Sequence, residues 1–222
     1  MRRLVPLLGL MLLAVACGAD STTNSTFERI PTAIAFDWVN AVASADGVAI
    51  SRAVEQQGLV VVTAAENAYT PDETAVLLQD GLSTAAADVY WAAFREEFAG
   101  FAGTPFRDLE VGVYEEFAAA GGDFAVVTLR GGSGTGTVVA LRGAEGWQVD
   151  MAATVGPAFS GQIRNLAEQL DDSPASSLVA AALRDRVLPG LLAAAHLEPD
   201  NKTLQAEIGR IQRALENREP SN

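Results

Sequence analysis

One thiol in this chain has a definite chemistry to perform. Cys17 is the single cysteine among 222 residues, and it sits one residue after an apolar run over 4–15 that begins behind Arg2 and Arg3. Two cations, a short apolar stretch and the small residues Ala14, Val15 and Ala16 are the parts of a secretory signal and its cleavage position. The run is shorter than the roughly 20 residues that cross a hydrocarbon core, so it does not read as a membrane span. Two outcomes of cleavage stay open. A peptidase that recognises Ala-x-Ala releases the chain without lipid, whereas modification at sulfur leaves Cys17 as an acylated first residue. The second explains both the position and the solitude of the thiol, which otherwise has no pairing partner in an exported chain.

Residues 14–17 resemble the bacterial lipobox, with Ala14 standing where leucine is usual. The resemblance implies that 1–16 is removed and that a diacylglyceryl group with palmitate-type acyl chains is joined to Cys17. One acyl chain holds a protein only marginally and two hold it durably, at about 0.8 kcal/mol per buried methylene. The segment 17–27 then reads as a lipid acceptor plus a small, polar, flexible tether. A ten-residue coil of that kind spans roughly 17 Å, about twice the Debye length at physiological salt. The expected location is the outer face of the cytoplasmic membrane, lipid-anchored and facing the cell wall or periplasm.

Charge fits a domain held clear of that surface. The full chain carries −13, and loss of Arg2 and Arg3 takes it to −15. Anionic headgroups and nucleic acid are both repelled, so no nucleic-acid partner is expected. Lys202 is the single lysine among 15 basic residues, a composition typical of high-GC bacteria such as actinobacteria. With one cysteine and one histidine there is no disulfide within the chain and no zinc or haem ligand set, and no oxygen-rich calcium loop occurs. Neither metal nor cofactor is expected. His196, beside Leu191, Leu192 and Leu197, reads as a structural helix-end residue.

The elements that must position any further chemistry follow from periodicity. Apolar residues at Ala35, Trp38, Val39 and Val42 predict a helix over 32–44. A short helix is expected over 48–57, ended by Gly58, and the β-branched run over 59–63 reads as a buried strand or packed loop. Thr70-Pro71-Asp72-Glu73 starts another helix that stops near Gly81. Over 84–101, Tyr90, Phe94, Phe98 and Phe101 share one helical face, which reads as core. After Pro105 the pattern turns to strands: Leu109, Val111 and Val113 alternate with Glu110, Gly112 and Tyr114, and runs over 124–130, 137–142 and 147–151 follow across glycine-rich turns. The Gly131–Gly136 loop joins two strands and lacks lysine, so it reads as a hairpin, not a phosphate loop. Helices are expected over 158–170, 174–196 and 201–217, the second interrupted at Pro189-Gly190. In the last, Leu204, Ile208, Ile211 and Leu215 form a stripe, with Glu207 off it, that packs within the chain or on a partner. The acid pairs Glu96-Glu97, Glu115-Glu116 and Asp171-Asp172 are adjacent in sequence and so do not converge by themselves.

Helices, then a long aromatic helix, then a four-strand meander whose last strand opens Gly146-Trp147-Gln148-Val149-Asp150: this order over 32–156 resembles a nuclear transport factor 2-like (SnoaL-like) domain. The whole chain is similar to actinobacterial membrane-anchored proteins that export such a domain. The resemblance implies an α+β fold, with a cone-like curved antiparallel sheet of about four strands packed on N-terminal helices over 28–156. A C-terminal helical extension over 157–222 follows. Enzymes of the family place Asp, Tyr, His or Arg inside the cone, and the residues this chain offers are Asp37, Tyr90, Tyr114 and Asp150. None matches a family catalytic motif residue by residue, and a working carboxylate needs burial to raise its pKa. The expected function is therefore a non-catalytic module that binds a protein partner or a small apolar ligand. The alternatives are an exported isomerase, dehydratase or cyclase and, third, a lipid carrier.

Overall fold

The computed structural model describes residues 29–119, 121–132, 134–170, 174–197 and 199–218. Cys17, the signal segment, the tether and the pair Asp171-Asp172 lie outside the described residues, as do the side chains of Phe101 and His196.

Helix α1 (Pro31–Ser44) buries Ala35, Trp38, Val39 and Val42, the face its periodicity marks. Asp46 then caps α2 (Gly47–Ala53) by accepting from the Ala49 N–H at 3.0 Å. Two extended residues, β1 (Val54–Glu55), separate it from α3 (Gln56–Glu66). Here the structure corrects the sequence reading twice. The helix expected to run to Gln57 ends at Ala53, and the β-branched run over 59–63 is helical. Gly58 sits in the first turn of α3, where Glu55 accepts from the Gln57 and Gly58 N–H groups. Leu59 to Ala65 are buried on every side of the helix, so no polar face interrupts the run and periodicity could not identify it.

Helix α4 (Pro71–Asp80) starts where the sequence predicts, and Thr70 and Glu73 close a capping box there. The aromatic helix α5 (Thr84–Ala102) follows, capped by Ser83. Its Phe94 and Phe98 meet Trp38 and Phe106: the Phe98 and Phe106 rings lie 4.4 Å apart, and Trp38 meets Phe106 edge-on at 5.4 Å. These rings, with Phe106 and Trp38 almost wholly buried, form the centre of the main core.

Strands β2 (Glu110–Ala119), β3 (Gly122–Gly131), β4 (Gly134–Gly143) and β5 (Gly146–Asp150) make the expected antiparallel meander. The sheet is nevertheless mixed, because β1 pairs in parallel with β5, Val54 opposite Val149 and Glu55 opposite Asp150. Among the described residues the order is β1-β5-β4-β3-β2. A strand of two residues is too short to carry an alternating pattern, which is why the sequence reading did not include it. Alternation in β2 also fails at one place. A bulge lies between Val111 and Tyr114 in the pairing with β3. It shifts every later residue by one, so Val113 is 70% exposed and Tyr114 turns inward. Among the described residues the strand is the long outer edge of the sheet, with Glu110, Glu115 and Glu116 exposed along it.

Met151, expected in a strand, instead opens α6 (Met151–Val155), because Asp150 caps a helix there. A 3-10 turn over Gly156–Phe159 leads to α7 (Ser160–Glu168) and then α8 (Pro174–Ala182). The break expected at Pro189 takes the form of a π-helical turn over Leu183–Val187, placed just before α9 (Leu188–Leu197). Proline cannot donate to a carbonyl four residues back and its ring crowds that group. The carbonyl in question, that of Asp185, accepts instead from Arg186 Nη1 at 3.0 Å. Finally α10 (Lys202–Glu216) packs its Leu204, Ile208 and Ile211 stripe on α7 and α9.

One face of the sheet carries α1 and the aromatic core, through residues such as Val127, Val138 and Ala140. On the other face Phe124, Val139 and Leu141 pack on Ala153 of α6 and Ala193 of α9. The main core runs on without interruption into Ile163, Leu166, Val179 and Leu191 of the C-terminal helices.

Candidate functional site

A pocket of about 530 Å³ opens between the end of α3 and the outer face of α5. Its position follows from local structure. Helix α3 is capped by Asn67, whose side-chain amide donates to the Thr63 carbonyl at 2.8 Å. Ala68 then takes a left-handed backbone at φ 52°, an unusual choice for a residue with a β-carbon, and the Tyr69 N–H folds back to the Ala64 carbonyl at 2.9 Å. This reversal sets Tyr69 beside Glu66 on the pocket wall. Across from them α5 contributes Tyr90, Phe94 and Glu97, which recur at helical spacing on one side, with Ala86, Val89 and Ala93 between. Phe159, from the turn before α7, lines the pocket as well.

Tyr90 stacks on Phe94 with ring centres 5.8 Å apart and meets Trp91 edge-on at 5.0 Å. Burial, then the charges of Glu66 and Glu97, hold its phenol above the usual range, so it stays protonated at any physiological pH. Burial and the charge of Glu97 likewise raise the Glu66 carboxyl. Among the described residues neither glutamate forms an ion pair or hydrogen bond, and the Tyr90 hydroxyl has no hydrogen-bond partner. The one hydroxyl of a nucleophilic type in the wall, that of Thr63, donates to the Leu59 carbonyl at 2.9 Å.

A second polar cluster is buried. At the ends of the parallel strands β1 and β5, Glu55 and Asp150 stand side by side, and each caps the helix that follows. Asp150 Oδ1 accepts from the Ala153 N–H at 2.9 Å. Arg186, brought in by the π turn, lies 3.5 Å from Glu55 and 3.9 Å from Asp150 Oδ2. Burial pushes the Asp150 carboxyl up to about 7, against the Ala153 N–H; the Glu55 charge adds to the rise and Arg186 opposes it. None of Glu55, Asp150 and Arg186 lines the pocket between α3 and α5; the three tie the end of the sheet to the C-terminal helices.

The four residues singled out by sequence do not meet. Asp37 is exposed and paired with Arg29. Asp150 is fully buried in the joint. Tyr114 is half-buried against the main core on the edge strand, and Tyr90 alone lines the pocket between α3 and α5. Sequence reasoning missed Glu66, Tyr69 and Phe159, and it paired Glu97 only with its neighbour Glu96. The partner that converges on Glu97 comes from another helix, and the one local sign was a carboxylate, Glu66, at a helix end where the backbone dipole disfavours it. Among the described residues no three His, Cys, Asp or Glu side chains gather as a metal would require, and no helix is long and apolar enough to cross a membrane. Comparison of the chain with protein-family models, with curated proteins and with solved structures gives no match in any of the three.

Proposed function

We propose that this chain is an exported, lipid-anchored module that binds a small ligand, without transforming it, in the pocket between α3 and α5. The observation that carries this reading is the pocket itself. Its volume of about 530 Å³ lies within the range of small-molecule sites, and its floor of Tyr90 and Phe94 is apolar with a few polar groups at the rim. A protonated phenol orients a ligand by hydrogen bonding, and the wall holds no activated nucleophile. Of the candidate acid-base residues, Asp37, Tyr114 and Asp150 line other surroundings, which weighs against an isomerase or dehydratase built on them. A carrier of whole lipids calls for a long apolar tunnel, and this pocket has two glutamates at its rim. What supports the cone-like, nuclear transport factor 2-like reading of the fold is α1 lying against β2, β3, β4 and β5 on one face of the sheet.

Two experiments test the proposal. The mature protein should carry a diacylglyceryl mass on Cys17, and a Cys17→Ala chain should lack it and appear in the soluble exported fraction; a membrane-bound variant after signal cleavage overturns the anchor. Screened by thermal shift against a small-molecule library, the protein should gain stability with a subset of compounds, and Ala93→Trp, which fills the pocket, should abolish those gains. Shifts that survive the tryptophan would place binding elsewhere.

A further inference from the structure

We infer that the ligand of the pocket between α3 and α5 is an organic cation, an ammonium or guanidinium group carried on an apolar or aromatic body. The inference rests on the reading that this pocket binds a small ligand, and it adds the sign of the charge.

Two carboxylates make the site electronegative, and an aromatic wall suits it to positive charge. Glu66 and Glu97 reach it from different helices, and among the described residues neither has a cation of the protein to answer it. Glu66 is also the last residue of α3, so its carboxylate stands at the negative end of an eleven-residue helix. Finally, the Tyr90 hydroxyl is unpartnered among the described residues, and its ring, stacked on Phe94, gives the pocket an aromatic wall of the kind that attracts positive charge. An anion meets repulsion from both carboxylates. A neutral ligand leaves two like charges facing each other, as they do in the free protein. A cation alone relieves that repulsion, and its apolar body covers Phe94, Val89 and Ala93.

Isothermal titration of the full mature chain with three probes of one shape tests this: phenylbutylammonium, phenylbutanol and phenylbutyrate. The ammonium should bind at least about tenfold more tightly than the alcohol, and the carboxylate should bind weakest. Glu66→Gln and Glu97→Gln should each lower the ammonium affinity by roughly tenfold while leaving the alcohol unchanged. Both side chains are exposed, so the variants should fold, which circular dichroism checks. If the alcohol binds as tightly as the ammonium and Ala93→Trp abolishes both, the cation is wrong while the pocket reading stands. If the ammonium binds tightest but Ala93→Trp leaves it untouched, the charge selectivity belongs to another place and the inference falls. If the glutamine variants keep full ammonium affinity, it falls likewise.

Discussion

Asp150 and Arg186 face each other across 3.9 Å with no hydrogen bond between them, each with a buried polar atom unsatisfied. A carboxylate in that position has lost its water without gaining a full partner, and its pKa is accordingly pushed up from 3.8 to about 7. Between those two values the folded protein holds a proton that the unfolded chain has released. Stability therefore falls as pH rises from about 4 to about 7 and levels off above, by on the order of 4 kcal/mol for a shift of this size. Asp150→Asn keeps an acceptor for the Ala153 N–H and removes the titration. Urea unfolding of the variant should show a flatter profile over this window and equal or greater stability than the parent at pH 8. A variant that retains the parent's slope would assign the pH dependence to other groups.

The joint depends on two close approaches. A β-carbon at Gly58 would overlap the Asp150 carboxylate, and one at Gly190 would overlap the backbone of Ala153. The carboxylate can shift a little, whereas the α6 backbone cannot. Gly58→Ala should cost about 1–3 kcal/mol and Gly190→Ala more than that, measured by chemical denaturation. The reverse order would mean that α9 moves more freely against α6 than their packing shows.

Glu207 was expected off the apolar stripe of α10, yet it is 7% exposed. It accepts from Arg164 of α7 at 2.9 Å and is paired with Arg210 one turn along its own helix. A carboxylate between two arginines is charge-satisfied, so burial is tolerated and the helices are tied together. Glu207→Ala leaves both arginines without it and should destabilise the fold by about 1–3 kcal/mol, with the lower figure if Arg164 turns to solvent. Amide exchange in α10 should accelerate first. Unchanged exchange there would mean that Leu204, Ile208 and Ile211 hold the helix alone.

The bulge in β2 gives a sharp contrast between neighbours. Val113→Thr, at an exposed position, should change stability by less than about 0.5 kcal/mol. Tyr114→Ala, which strips a ring from the core edge, should cost about 2 kcal/mol or more. Equal effects would restore the simple alternation that the sequence suggests.

Much of the architecture was legible because it rests on local signals. The face of α1, the Thr70-Pro71 start of α4, the aromatic stripe of α5 and the glycine-turned meander are all patterns of neighbours in sequence. What escaped depends on distant chain. Leu59 to Ala65 form a helix only because surroundings bury every side of it, and β1 exists only because β5 lies alongside. The pocket is of the same kind: Glu66 and Glu97 are far apart in sequence, and no local rule brings them together.

The edge strand β2 bears on how copies of this protein coexist. At the other side of the sheet β1 is only two residues long, too short to nucleate further pairing. The ten residues of β2 are long enough, but any copy that adds its own β2 brings a row of glutamates against Glu110, Glu115 and Glu116. Like charges set across a new strand pair oppose its formation. The exposed margin of the sheet therefore acts as a spacer: crowded together, these molecules would jostle as separate bodies rather than knit into a continuous β-layer.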